Sequence, residues 1–243
     1  MFNTDEFIKR YGKYYFTEYK DGSNNSENLY KDLGIKTINR TEPGVESFIT
    51  EKLEKGIHDR FTIAWKVGSL RPEHLKMGKK SVPVKNRYND FSNSIDEYIE
   101  NAHRSVKMEP SDWTDWEKIG SAFKELRKVD ITGFGSVYII NSLYFLSKGV
   151  IPIYDKYAHI AIKALLLNKN PDDLYVAPMP LKVDDTGDQP KAIMVLSEYV
   201  SMIEKVFGIK FGDKNKMFIK RDLDQALWVY GHRKEKCDSK SEK

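Results

Sequence analysis

Two glycines one residue apart stand in the segment Ile131-Thr132-Gly133-Phe134-Gly135, and an aspartate, Asp155, follows 20 residues after the second. A turn of the form apolar-x-Gly-apolar-Gly between helices lets the main chain adopt conformations that a side chain forbids, and lets it approach another surface closely. A helix starting at Ser136 would aim its free N–H groups out of that turn. Together with the helix dipole they make an anion site. Gly133, Phe134, Gly135 and Ser136 are therefore candidate phosphate contacts, of a kind that positions a nucleic acid without reading its sequence. The same two glycines also suit a plain tight turn between helices. Asp155 closes Pro152-Ile153-Tyr154-Asp155 at the start of the next helical stretch. A carboxylate there serves as a helix N-cap. It can also stabilise developing positive charge or orient a water. The two roles are compatible.

The elements that must hold these groups read as helices. Trp116, Ile119, Phe123 and Leu126 recur at helical spacing before the turn, with Thr114 and Glu117 at capping-box distance. Ser136 to Ser147 is apolar nearly all round and so is expected to be buried, ending at Lys148-Gly149. Lys156 to Leu167 follows as a helix. Upstream, Gly44 to Arg60 reads as one helix with its apolar content continuing through Ala64 and Trp65, and Asp90 to Arg104 as another. Downstream lie Ala192 to Phe207 and Met217 to Tyr230. Residues 1–42 are mixed and polar. Residues 70–88 read as a basic surface loop and 168–190 as a long Pro- and Asp-rich loop. Residues 232–243 form a charged tail. No internal repeat and no useful strand alternation occurs. The expected fold class is all-α, or nearly so.

The bulk numbers restrict the function. The 243 residues carry a formal charge of +4, which permits nucleic-acid binding without arguing for it. Cys237 is the only cysteine, which excludes an internal disulfide and a cysteine-built metal or iron–sulfur site. The longest apolar-rich run, Val137 to Leu146, is well short of the about 20 residues that span a bilayer. A cytoplasmic protein is the expectation, with no membrane partner and no cofactor.

The linked turn and aspartate resemble the helix–hairpin–helix DNA glycosylases. Members carry a turn like Leu-Pro-Gly-Val-Gly, a buried helix, then a segment like Pro-Ile-Leu-Asp. The resemblance covers about residues 113–168. Without iron–sulfur cysteines it lies nearest to the 8-oxoguanine and alkylpurine types. It implies a single unit of two interlocked helical lobes flanking a cleft, in which helices 44–67, 192–207 and 217–230 would share one lobe. It implies a monomer that binds DNA and flips a damaged or modified base out of the stack. Asp155 would stabilise the sugar cation and orient the attacking water. Bifunctional members place a lysine two residues after the second turn glycine. Val137 stands there, so the resemblance implies a monofunctional hydrolase. A non-catalytic DNA-binding protein is the competing expectation. Tyr154, Tyr157, Trp65, Lys66 and Trp228 are candidate pocket residues, although each also suits a packed interior, and Lys66 is a candidate Schiff-base amine. Lysines 76, 79, 80 and 85 with Arg87, and lysines 214, 216 and 220 with Arg221, are candidate phosphate contacts.

Overall fold

Short polar caps and breaks divide the apolar periodicity into helices, and the computed structural model describes residues 2–16, 42–167, 189–212 and 216–232. Its α-helices are α1 (Thr4–Tyr11), α2 (Pro43–Glu54), α3 (Arg60–Lys66), α4 (Ile95–Ser105), α5 (Trp116–Arg127), α6 (Ser136–Leu146), α7 (Lys156–Leu167), α8 (Gln189–Phe207) and α9 (Arg221–His232). The fold is all-α. Among the described residues the sole β pairing is an isolated antiparallel bridge between Lys85 and Asp90.

Several boundaries differ from the sequence expectation for local reasons. The stretch 44–60 is not one helix. Gly56, at φ +66°, ends α2, and Asp59 starts α3 in a capping box with Thr62. Lys52 closes the corner by pairing with Asp59 at 2.8 Å. α4 begins at Ile95 rather than Asp90, because Phe91 pairs back to the Val84 carbonyl (2.8 Å) before the helix starts. α5 is capped by Asp115, whose carboxylate accepts from the Glu117 and Lys118 amides, so Thr114 is not its cap. The last helix runs Arg221–His232, four residues later at its start than Met217. The charge-rich α1 was missed, since eight residues with Phe7 and Tyr11 buried give too short a period to read. The loop over 168–188 and the tail beyond His232 lie outside the described residues.

Helix packing falls into two groups. α1, α7, α8 and α9 pack on one another, and α2 to α6 pack on one another, with α5 against α8 joining them. α2 and α3 both pack with α6, through α2 on α6 and α3 on α6, and α2 also meets α9 through Glu46 and Arg221. Among the described residues no helix is long and apolar enough to cross a membrane.

α9 comes very close to α7 at Gly231. A Cβ there would stand 2.0 Å from the Tyr157 carbonyl oxygen, so α9 lies directly on the first turn of α7. Gly231→Ala must push the two backbones apart and is expected to cost about 3 kcal/mol, the upper range of overpacking. Gly44 has nothing within 4 Å of its would-be Cβ. Gly44→Ala should add about 0.5–1 kcal/mol, the ordinary helical gain of alanine over glycine. Urea unfolding of the two variants checks both signs.

His58 supplies a pH dependence. It is fully buried against Tyr98 and Phe145, and burial, then the charges of His103 and Lys79, holds its pKa down at about 3. The folded ring is neutral, while the unfolded ring takes up a proton below about 6.5. The unfolded state thus binds more protons between those values, and stability falls as pH drops through that window. His58→Gln should flatten the pH dependence of unfolding free energy between pH 6 and 4 by up to about 1.4 kcal/mol per unit.

Candidate active site

Asp155 is the N-cap of α7. Its Oδ1 accepts from the Tyr157 amide at 2.8 Å, and its carbonyl accepts from the His159 amide. The side chain is half-buried, and this single hydrogen bond fixes it at the helix start while the second oxygen accepts none among the described residues. The cap thus orients the carboxylate without using it up.

An amine stands beside it. Lys66, the last residue of α3, donates to the carbonyl of Tyr154 at 2.9 Å, one residue before Asp155. Burial lowers the Lys66 pKa, against the upward pull of Asp155 and Asp224. Asp224, from α9, is buried, and desolvation raises its pKa to about 6 in spite of Arg221. A lysine influenced by two carboxylates, in a setting that disfavours charge, is a means to hold or move a proton.

Behind these groups lies a buried polar knot. Arg221 holds the Glu46 carboxylate with two hydrogen bonds, 3.0 and 3.1 Å, and also meets Asp224 and the Tyr15 hydroxyl. The Trp65 indole N–H donates to the same Glu46 at 2.9 Å. Burial pushes the Glu46 pKa up, but the charge and hydrogen bonds of Arg221 outweigh it and hold the carboxyl low. Glu46 is therefore an ion, held by Tyr15, by Trp65 of α3 and by Arg221 and Gln225 of α9. Asp224 Oδ1, the Tyr199 hydroxyl and His159 Nε2 are buried with no hydrogen-bond partner among the described residues.

The candidate residues divide accordingly. Lys66, Tyr154 and Asp155 come together. Tyr154 is buried with its hydroxyl bonded to His159 Nδ1 at 2.8 Å. Tyr157 and Trp228 meet on the His232 ring, with centroids 3.5 and 3.8 Å away. Trp65 is already engaged, its N–H by Glu46 and its ring by the Arg221 guanidinium 4.9 Å from the centroid. Arg221, expected on a phosphate-facing surface, is instead the centre of the buried knot. Glu46 and Asp224 were not anticipated. Their only sequence signal was a charge on an apolar helix face.

The glycine turn between α5 and α6 is a separate surface. Gly133 adopts φ +77°, and Phe134 turns its N–H back to the Ile131 carbonyl at 2.9 Å. No side chain caps α6, whose first residue follows Gly135 directly. The Phe134 ring is buried against Tyr98, Tyr138 and Phe91. Its side chain is therefore a core anchor, and only its backbone can face a ligand. Arg127, Asp130 and the turn frame a concavity of about 280 Å³. Val137 is half-buried and brings no amine.

No family model, no curated protein and no solved structure matches this chain.

Arg221→Met leaves Glu46 buried without its cation, which should cost about 3–5 kcal/mol. Adding Glu46→Gln removes the stranded charge and should recover part of that loss. Thermal and urea unfolding of the single and double variants measure the coupling.

Proposed function

We propose that this chain is a DNA glycosylase of the helix–hairpin–helix type, one that flips a damaged or modified base and hydrolyses its N-glycosidic bond. The observation that carries the reading is the pairing of an uncapped helix start behind a glycine turn with a carboxylate fixed by its own helix cap. A phosphate suits the first, since the N–H groups and dipole at a helix start bind anions without sequence preference. Positive charge on a departing sugar suits the second. The two groups of helices, with Asp155 at the end of one and Lys66 at the end of the other, support the two-lobed form of that family.

In this mechanism the hairpin seats the backbone beside the target nucleotide. The base leaves the stack. Asp155 stabilises the oxocarbenium-like sugar through its second oxygen and orients the water that attacks C1′. Val137 at the hairpin position leaves no amine there, which favours release of the base by water alone. Lys66 favours a second reading, because its amine bonds the Tyr154 carbonyl, one residue before Asp155, in a setting that lowers its affinity for a proton. In that reading the Lys66 amine adds to the C1′ aldehyde of the abasic product, water leaves to give an imine, and loss of a C2′ proton expels the 3′-phosphate, so the strand is nicked.

Oligonucleotides carrying a panel of oxidised, alkylated and otherwise modified bases test the proposal. Wild type should give abasic sites that break only in hot alkali, and Asp155→Asn should lower the rate about 10²–10³-fold, the usual cost of removing one preorganised electrostatic partner. Breakage without alkali that disappears in Lys66→Met would establish the second reading. Salt-dependent binding with no base release from any substrate would reduce Asp155 to its capping role in a DNA-binding protein.

A further inference from the structure

Two hydrogen-bond acceptors are shut inside the packing of α3, α4 and α6. His58 Nε2 and Asn141 Oδ1 are buried, and neither has a hydrogen-bond partner among the described residues. Both belong to side chains that lean on Thr62. His58 Nδ1 lies 3.0 Å from the Thr62 hydroxyl oxygen, and the Asn141 side-chain N–H donates to the Thr62 carbonyl at 3.5 Å. The His58 ring also stacks on Phe145, one helical turn beyond Asn141 on α6. The two unpartnered atoms therefore belong to neighbouring walls of one interior region.

Each proton in this cluster has one place to go. The Thr62 hydroxyl donates to the Asp59 carbonyl 2.7 Å away, and the Asp59 amide donates to the hydroxyl oxygen at 3.1 Å. Thr62 has no proton left for His58, so the one between them belongs to Nδ1. The ring is neutral, because burial, and then the charges of His103 and Lys79, disfavour a second proton. Nε2 is thus a bare acceptor. The Asn141 amide keeps its N–H towards Thr62, since turning it over would set oxygen against oxygen, so Oδ1 is a bare acceptor too. The polar groups beside them are already engaged. The Tyr98 hydroxyl meets Ser142 Oγ at 2.8 Å, and Ser142 donates to the Tyr138 carbonyl at 3.2 Å. Two buried acceptors with no donor cost the fold the desolvation of both. A ligand that suits them brings two hydrogens and no charge, because His103 and Lys79 already disfavour a cation at this ring.

We propose that a water molecule is bound here as part of the fold, donating one hydrogen to His58 Nε2 and the other to Asn141 Oδ1. Buried waters commonly satisfy polar groups that the chain leaves unpaired. The bridge joins the start of α3 to the middle of α6. α3 ends at Lys66, and α6 follows the glycine turn, so the water ties together the helices that carry the candidate amine and the candidate phosphate contacts. The site does not rest on the glycosylase reading.

Nuclear magnetic resonance of the wild-type protein at neutral pH tests the site directly. Two-bond nitrogen–proton correlations should show the His58 ring protonated on Nδ1 alone. The carbon-bound Hδ2, beside Nε2 and away from the Thr62 hydroxyl, should cross-relax with water. A proton on Nε2 would overturn the proposal, and so would the Nδ1 tautomer with no water contact. A double-mutant cycle supplies a second measure. His58→Phe and Asn141→Leu each remove one acceptor and strand the water on the other. Each should lower the folding equilibrium constant in urea unfolding about tenfold, the scale of one unsatisfied buried group. The double variant removes both acceptors and the need for a donor. Its loss should be smaller than the product of the single losses by about fivefold. Losses that simply multiply would overturn the bridge.

Discussion

The Arg221–Glu46 ion pair is the constraint on which the interior depends. Its partners are 175 residues apart, one on α2 and one on α9, and both side chains are nearly shut off from solvent. Removing two charges from water is costly, and only dense pairing offsets it. The chain supplies that density with Trp65, Tyr15 and Asp224 around the guanidinium and carboxylate. The consequence is positional. Trp65 is held by Glu46, so its neighbour Lys66 ends α3 at a defined place, and Lys66 reaches the carbonyl before Asp155. The network therefore fixes the geometry of the groups able to do chemistry.

Much of this was legible along the chain, for reasons that differ by element. α7 was expected at Lys156–Leu167 and occurs there, because a proline-containing extended link ends at a capping aspartate and apolar spacing follows. The hairpin helices were also foreseen, since their periodicity is local. The break between α2 and α3 was not, because Phe48, Ile49, Leu53 and Ile57 keep helical spacing up to the corner that Gly56 and Asp59 impose. Partnership was the least legible property. Arg221 reads as a surface cation and Glu46 and Asp224 give no signal of a role, since nothing local says which charge will meet another across the fold. Trp65 and Phe134 have the opposite history. Both are aromatic residues in candidate positions, and both are committed to interior contacts.

Tyr88, at 82% exposure, belongs to neither group. In the sequence it sits within a basic stretch that reads as a solvated loop. Only the placement of Asn86 and Asn89 on the hairpin turns that stretch into a defined surface. The two asparagines act through their side-chain amides, one closing the turn and one filling the space that Gly133 leaves open. A glycine chosen for a turn is also the seat for a neighbouring segment.

Close seating of α9 on α7 carries a consequence for how the protein is made. The polar knot behind Asp155 draws on positions 15, 46, 65, 221 and 224, so its parts are synthesised far apart in time. During translation the hairpin and α7 leave the ribosome well before Arg221. Until then Glu46 has no cation, and α7 lacks the helix that covers its first turn. A nascent chain can therefore fold its hairpin early, but it completes the surroundings of Asp155 only after α9 emerges. A chain that stalled before α9 would display the glycine turn without a finished site behind it.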